Sequence, residues 1–433
     1  MAGANQAIYD PRSDRFWNRA DLREEMLRVF DVCQGCRLCF KFCPAFPSLF
    51  DSIDTAHDGE TRQLTGPEMR RVADLCFQCK LCYVNCPYTP DQHHPFNVDF
   101  PRLMLRERMV RGREEGITPQ DRFLGNPDLS GSLGSLTVPF SNWAIRSRPM
   151  RIAMEKIVGV HRDRELPRFN GTTFDRWVRK REKKLKKKTG GTGGKVALFY
   201  TCSVNYNEPD IGKNAVAVLA HHDVRIAIPE QRCCGMPYLD GGDHANAIEN
   251  LKFNVRSMRG FADDGYAIVA LQPTCGYVLK KEYPWLDAGE DTRAVAAATV
   301  DIGEFLMTLH ARGKLDTSFR TSPGRVLYHF PCHLKAQQIG QKSRDLLQLI
   351  PGCEVEVVDR CSGMDGTWGM KREYFDASRK VASPIILRAE ESRPDRICSD
   401  CALAGLQIHQ GTGMRSAHPV EILRESYGLS LEV

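Results

Sequence analysis

No stretch of this 433-residue chain approaches the roughly 18 apolar residues of a membrane-spanning helix, so none is expected. Residues 1–20 (MAGANQAIYDPRSDRFWNRA) lack the apolar core of a secretory leader, which makes a reducing cytoplasm the expected compartment. No G-x-G-x-x-G follows a strand-like run and no nucleophile elbow is present, so no flavin, nicotinamide or acyl-transfer site is evident. Thr189-Gly-Gly-Thr-Gly-Gly194-Lys195 evokes a phosphate loop. Thr189 stands where its first glycine belongs and Val196 follows the lysine, so the segment reads as a flexible linker. Net charge is only +6, from 60 Lys and Arg against 54 Asp and Glu. It is also local: residues 161–188 hold twelve Lys/Arg and four Asp/Glu, leaving −2 for the remainder. That is no nucleic-acid-binding composition. The basic stretch reads as a solvated helix face, or as a surface for peripheral contact with an anionic membrane or an acidic partner. Trp143, Trp177, Phe169 and Phe174 are the aromatics available to such an interface.

Cysteine, by contrast, is abundant. Seventeen are present, clustered rather than scattered. One row is Cys33-Gln-Gly-Cys36-Arg-Leu-Cys39-Phe-Lys-Phe-Cys43-Pro44; the other is Cys76-Phe-Gln-Cys79-Lys-Leu-Cys82-Tyr-Val-Asn-Cys86-Pro87. Both read C-x2-C-x2-C-x3-C-P, the spacing of bacterial two-cluster ferredoxins, in which the fourth cysteine serves the other cluster. The spacing predicts one [4Fe–4S] set of Cys33, Cys36, Cys39 and Cys86, and a second of Cys76, Cys79, Cys82 and Cys43. A structural zinc site would use two C-x2-C pairs rather than a repeated run of four. Leu38, Phe40, Phe42, Phe77, Leu81 and Tyr83 are placed to shield the clusters. Gly35 is expected to let backbone N–H groups approach sulfur, and Arg37, Lys41 and Lys80 to bring positive charge near an anionic cluster.

Leu22, Met26, Val29 and Phe30 share a helical face before the first row, with Asp21 as N-cap. Thr65-Gly-Pro67-Glu68 reads as a capping box before the second, with Met69, Val72 and Cys76 on one face. The roomy gap between the rows predicts an all-helical two-cluster domain over residues 10–100. A basic helical connector and Gly-rich linker follow over 101–194. From Lys195 strands and helices alternate: strands at Val196–Tyr200, Val224–Ile228, Ala267–Leu271, Arg325–His329 and Cys353–Val358, and helices near 209–222, 242–263, 334–349 and 371–391. Cysteines recur at offsets of 130 (Cys202 to Cys332), 128 (Cys233 to Cys361) and 126 (Cys275 to Cys401). So even a repeat argues for two stacked α/β units, residues 195–315 and 316–433, with thiols at strand C-terminal ends.

These blocks resemble the cysteine-rich CCG domain, whose pattern C…CCG…CxxC occurs twice. A helical two-cluster ferredoxin domain followed by such an α/β pair resembles the C subunit of anaerobic glycerol-3-phosphate dehydrogenase, the iron–sulfur subunits of heterodisulfide reductase, and those of glycolate and lactate oxidases. PCHLKAQQIG, VEVVDRCSGMDGTWG and HPVEILRESYG carry the first likeness. The resemblance implies an electron-transfer subunit that relays electrons between a flavoprotein dehydrogenase, or another redox protein, and a quinone or other acceptor. It would have no flavin of its own and would sit in the cytoplasm or on the cytoplasmic face of the membrane. The rival readings are a heterodisulfide reductase-like enzyme and a soluble redox protein feeding a stress-response acceptor. The chain departs from the pattern twice: Gln272 stands at the first cysteine of CxxC in block one, and Ser362 at the second cysteine of CCG in block two. Four thiols remain in each, Cys202, Cys233, Cys234, Cys275 and Cys332, Cys361, Cys398, Cys401, enough for one or two further clusters. Cys353 reads as a core residue, His93-His94 as a surface pair, and His333 as a helix cap or a support for a ligand.

Overall fold

The computed structural model describes residues 9–181, 183, 185 and 190–431. The lysine-rich end of the connector, 182, 184 and 186–189, thus lies outside the described residues. Upstream of residue 195 the described chain is helical, apart from one isolated bridge between Val160 and Lys371. Helix Arg19–Cys36 buries Leu22, Met26, Val29 and Phe30, each worth roughly 1.5–3 kcal/mol. Its N-cap is Asn18, whose side chain accepts from the Asp21 N–H at 3.0 Å, so Asp21 sits inside the first turn rather than capping it. Thr65 and Glu68 do form the expected capping box, on helix Gly66–Leu75. Helix Phe100–Glu115 joins two cores: Phe100, Leu103, Met104 and Val110 pack into the N-terminal unit, while Leu105 and Met109 face block one.

Each α/β block is a four-stranded, wholly parallel sheet. Strands β1 (Lys195–Phe199), β2 (Arg225–Ala227), β3 (Ala267–Ala270) and β4 (Thr299–Asp301) lie in the order β2-β1-β3-β4. Strands β5 (Arg325–His329), β6 (Glu354–Val358), β7 (Arg396–Ser399) and β8 (Ser416–Ala417) lie in the order β6-β5-β7-β8. Unbroken burial of Val196–Phe199 fits a strand covered on both faces. The short strands β4 and β8 carry too little pattern to be read from sequence. The helix expected over 334–349 is two, Cys332–Ala336 and Lys342–Leu347, because Gln338 and Gly340 adopt left-handed conformations between them (φ 57° and 79°).

The blocks meet about a pseudo-two-fold. The helix after β4, Ile302–Ala311, packs on Lys342–Leu347, which follows β5; the helix after β8, Pro419–Tyr427, packs on Pro209–His221, which follows β1. One apolar core runs through both contacts and includes Phe305, Leu306, Leu346, Val216, Leu219 and Leu423. The glycine-rich segment is ordered where it is described. Backbone N–H groups of Gly191 and Gly193 donate to the Asp223 carbonyl, and Thr192 donates to its carboxylate. A Cβ at Gly193 would stand 2.0 Å from the His222 carbonyl oxygen, so this part of the linker is a fitted loop rather than a flexible tether.

Candidate metal centre

The first row begins in the last helical turn of Arg19–Cys36. Arg37 ends that helix in a left-handed conformation (φ 53°) and turns the chain back, so that Cys39 faces the same hollow as Cys33 and Cys36. Cys86, from the other row, completes the lining with Phe46, Phe50 and Tyr88. Lys80 takes the left-handed turn at the matching place in the second row (φ 63°), as does Gln78 (φ 50°). Gly35 remains inside its helix with open space around its Cα, so it is not the residue that gives sulfur its backbone contacts. Those contacts come from Tyr88 N–H to Cys86 Sγ (3.4 Å), the Gln78 side-chain amide to Cys76 Sγ (3.4 Å), and the N–H groups of Ala45 and Phe46 toward Cys43.

Cys43, Cys76, Cys79 and Cys82 are mutual neighbours, and Cys76, Cys79 and Cys82 are buried. Burial, then the thiols of Cys39, Cys86 and Cys36, pushes the Cys33 thiol well above its ordinary value; Cys39 is pushed up to about 12. Burial followed by neighbouring thiols does the same to Cys43 and Cys82. Bare thiolates would repel one another here, so the set needs a bound cation to deprotonate fully. Among the described residues no three His, Cys, Asp or Glu side chains close on one point as the ligands of a single ion would. The donors ring a hollow instead, which suits a cluster with each thiolate on its own iron and not a zinc knot.

The cysteines of the two blocks converge on one cavity of about 110 Å³. Cys202, Cys233, Cys234 and Cys275 enter from block one, and Cys332, Cys361 and Cys401 from block two. Cys202 and Cys233 Sγ lie 4.0 Å apart, and those of Cys332 and Cys361 3.9 Å. The thiols of Cys233 and Cys275 hold Cys234 well below its ordinary value. Cys398 is not in this cavity. It lies on β7, fully buried in the shared apolar core.

Sheet register explains the difference. Phe199 pairs with Ala270 in one sheet and His329 with Ser399 in the other, so Ala270 and Ser399 are equivalent. Gln272 then corresponds to Cys401, and Cys275 to Ala404. Gln272 and Cys401 are indeed the N-caps of equivalent helices, Pro273–Tyr277 and Ala402–Thr412. The sequence offset of 126 instead aligns Cys275 with Cys401. In space, block one keeps the second cavity-facing position and block two the first, while Cys398 matches Val269 of the core. Gln272 also makes a contact of its own: its Oε1 accepts the Ala402 N–H at 2.9 Å, across the block interface.

The N-terminal unit seats directly on this cavity. Phe77 lines it, and Cys79 and Cys361 are in side-chain contact. Trp368 donates to the Asp74 carbonyl at 2.9 Å and packs on Phe77. His333, buried, bridges the Gln78 carbonyl (2.9 Å) and Thr274 Oγ1 (2.8 Å), so it fastens three segments together and makes no cap. Lys80 is buried against Glu282 of block one, Nζ to Oε1 2.9 Å, and its charge also bears on sulfur, drawing the Cys76 thiol down against the burial that raises it. Arg37 pairs with Asp54 at 2.6 Å, and Lys41 is exposed. Phe77 and Leu81 are buried as shields, whereas Leu38 and Phe40 face solvent. His93 is exposed and His94 meets Tyr88 and Phe96 edge-on, as a surface pair should. Cys353 lies just ahead of β6, half-buried against the shared core. Of the four connector aromatics, Phe174 and Trp177 are buried in that core, and Phe169 covers Gly134; Trp143 alone is strongly exposed.

Comparison with known proteins agrees with this architecture. A family model described as the citrate utilization protein B Fer4-like domain matches residues 26–114, and the cysteine-rich CCG domain matches 196–280 and 326–409. The chain is 29% identical over 306 residues to the C subunit of anaerobic glycerol-3-phosphate dehydrogenase from Escherichia coli (strain K12), covering 70% of this chain and 76% of that one. It is 30% identical to lactate utilization protein A of Geobacillus thermodenitrificans over 53% of this chain and 98% of that one. It is 29% identical to the B subunit of fumarate reductase (CoM/CoB) from Methanothermobacter marburgensis over 49% of this chain and 41% of that one.

Proposed function

Because the chain belongs to the family of iron–sulfur subunits that join a Fer4-like domain to a pair of CCG domains, we propose that it is the electron-relay subunit of an oxidoreductase complex. The observation that carries this reading is continuity. Cys33, Cys36 and Cys39 are half-exposed, Cys82 lies beside Cys39, and Cys79 meets Cys361 at the inner cavity, so thiols line one path from surface to interior. Cys33, Cys36, Cys39 and Cys86 would hold one [4Fe–4S] cluster, Cys43, Cys76, Cys79 and Cys82 a second, and the cavity thiols a further one. Bound there, such clusters store and release single electrons. The protein's own contribution is to exclude water with Phe77, Leu81 and Trp368, to direct N–H groups at sulfur, and to hold the rows against block two. The half-exposed first hollow, rimmed by exposed Leu38, Phe40 and Phe96, is where a redox partner would approach. A flavoprotein dehydrogenase is the expected donor and a quinone or another protein the acceptor, with 161–188 lending positive charge to a peripheral membrane position. Ferredoxin-type ligation, the partners and the membrane position are parts of this proposal.

A second reading has one observation in its favour. Seven thiols around one cavity would suit reduction of a disulfide. Gln272 and Ser362 leave the cavity short of two complete five-cysteine sets, which favours relay over turnover. Anaerobic purification with iron and sulfide analysis and EPR tests both. About eight irons mean two cubanes, and about twelve an occupied cavity as well. A colourless protein without inorganic sulfide would end the proposal. Turnover of a small disulfide by the reduced protein alone would move it to the second reading.

A further inference from the structure

Each cysteine loop of the α/β pair runs on to a carboxylate. In block one Cys233-Cys234-Gly235-Met236 leads to Asp240, the last residue of helix Met236–Asp240; in block two Cys361-Ser362-Gly363-Met364 leads to Asp365. Both carboxylates line the thiol cavity. Asp365 turns there in a left-handed conformation (φ 39°). A Cβ on the next residue, Gly366, would stand 4.0 Å from Asp240 Oδ2, so the acidic ends of the two loops lie side by side. Asp240 is 8% exposed, and neither of its carboxylate oxygens has a hydrogen-bond partner among the described residues; Asp365 Oδ2 has none either. Arg108 Nη1 lies 3.7 Å from Asp240 Oδ1, beyond hydrogen-bonding reach, and the same guanidinium donates to the carbonyls of Ala73 and Cys76. On its other side Asp240 faces a cleft of about 820 Å³, walled by Arg108, Arg111, Asp121, Lys371 and Trp368 and bordered by exposed Glu115 and Lys156. Among the described residues Asp240 alone lines both this cleft and the thiol cavity.

We infer that the Asp240–Asp365 pair is a proton-accepting site, which takes up one proton from the cleft for each electron delivered to the thiol cavity. The electron comes from the second cysteine row, where Cys79 meets Cys361. The proton comes from water in the cleft: a hydronium O–H bond breaks, an O–H bond forms on a carboxylate oxygen, and the net charge of the cavity stays as it was. An electron left unbalanced in so buried a place would repel both the carboxylates and the next electron. The surroundings suit the task. Burial pushes both carboxyls above the ordinary aspartate range, and Asp240 raises Asp365 further; Arg108, Lys80 and Lys371 draw both back, and Cys234 raises Asp240. Lys371 is paired with Asp121 at 2.6 Å and Lys80 with Glu282, which leaves Arg108 as the cation nearest to unclaimed. Two carboxylates that share a buried site do not both ionise. The pair therefore holds one proton and has an oxygen free for another when negative charge arrives. This deepens the proposed relay and rests on that reading, since it needs a cluster in the cavity.

The test is a redox titration of the anaerobic, full-length holoprotein followed by EPR between about pH 6 and about pH 9. The cavity signal is the one that Cys275→Ala removes. Its reduction equilibrium should fall about tenfold per pH unit, which is about 59 mV for one electron. Asp240→Asn should flatten that slope with iron content unchanged, and Asp240→Glu should restore it. A purely structural role would leave the slope alone. Should the asparagine variant lose its cavity iron, the parent's infrared difference spectrum decides. Reduction should bring up a protonated-carboxyl band that moves in D2O, and absence of the band overturns the inference. A flat potential in a parent that holds about twelve irons also overturns it and leaves the relay standing. So does a slope that Asp240→Asn and Asp365→Asn both retain in full, because the proton would then go elsewhere. About eight irons would remove the cavity cluster, and with it both this inference and the innermost step of the relay.

Discussion

Replacing Lys80 with methionine probes the joint on which the proposed electron relay depends. Lys80 belongs to the second cysteine row and Glu282 to block one; they are 2% and 0% exposed, with Nζ and Oε1 2.9 Å apart. Burial opposes the lysine charge, and the Glu282 carboxylate more than restores it, so the ammonium holds its proton above the ordinary lysine range. At an effective dielectric of about 20 the pair attracts by about 6 kcal/mol, and desolvation of both ions offsets much of that. Lys80→Met strands a buried carboxylate. Breaking such a pair costs about 3–5 kcal/mol, and the Arg102 guanidinium, 3.9 Å from Glu282, holds the loss near the lower end. Removing both charges, as Lys80→Met with Glu282→Leu, strands neither and should return stability to within about 1–2 kcal/mol of the parent. The assay is anaerobic urea unfolding followed by tryptophan fluorescence, with iron content measured on each variant. A single variant that costs less than about 1 kcal/mol, or a double no more stable than Lys80→Met, would refute the view that this ion pair clamps the N-terminal unit to block one.

Cys401→Ala should lower the iron bound at the inner cavity, whereas Cys398→Ala should leave iron unchanged and cost only about 1 kcal/mol for a small core cavity; equal iron loss in both would overturn the register assignment. His418 is buried with its pKa pushed down to about 4 by burial, while its Nδ1 caps helix Pro419–Tyr427 and Nε2 meets the Leu271 carbonyl. The folded state keeps it neutral and the unfolded state protonates it below about 6.5, so its stabilisation is present above that pH and lost as pH falls toward about 4. His418→Asn keeps a cap, and the parent should lose about 2 kcal/mol more than this variant between about pH 7 and about pH 5; parallel stability curves would count against the assignment. Gly131→Ala should destabilise by about 1–2 kcal/mol despite alanine's better helix propensity, because its Cβ meets the Tyr206 ring. A raised melting temperature would show that the glycine face is not a close contact.

Sequence made some layers of this molecule legible because their signals are local. The cysteine rows carry their spacing in about a dozen residues each, and the structure brings together the crossed sets that spacing predicts. Strands β1, β3 and β5 announce themselves as apolar runs bounded by turns, and the edge strand β6 by its alternation. What failed to show was decided at a distance. Cys398 follows the CxxC spacing, yet strand alternation turns it into the core, and only the pairing of His329 with Ser399 reveals this. Lys80 reads as a charge beside sulfur, and nothing local shows that a carboxylate some two hundred residues later is buried against it as well. Helix Pro127–Leu136 was the hardest to see: Leu129, Leu133 and Leu136 have ordinary helical spacing, and nothing local says that Gly131 and Gly134 form its packed side, against the Tyr206 and Phe169 rings.

The two blocks share a fold but do not do the same work, and the geometry shows where the symmetry stops. At the equivalent N-cap positions block two presents a thiol, Cys401, to the cavity, while block one presents Gln272. Block one thus lacks a thiol there and has a hydrogen bond instead, because Gln272 Oε1 accepts the first N–H of the helix that Cys401 caps. The neighbouring Gln337 amide donates to the Pro273 carbonyl at 3.0 Å, so the interface is laced at the rim of the cavity. His418 of block two reaches the Leu271 carbonyl of block one from the other side. Block one still gathers four thiols, enough for a cubane. Block two brings three, and two of those, Cys361 and Cys332, lie nearest the second cysteine row through Cys79. Block one thus supplies most of the cavity's thiols, and both blocks tie it to the helical domain, block one through Glu282 and block two through His333 and Trp368. Rigidity at the junction matters to the proposed relay because electron passage depends on the separation of the sites, and the Lys80–Glu282 pair, His333 and Trp368 are the three contacts that hold the helical domain against the blocks there.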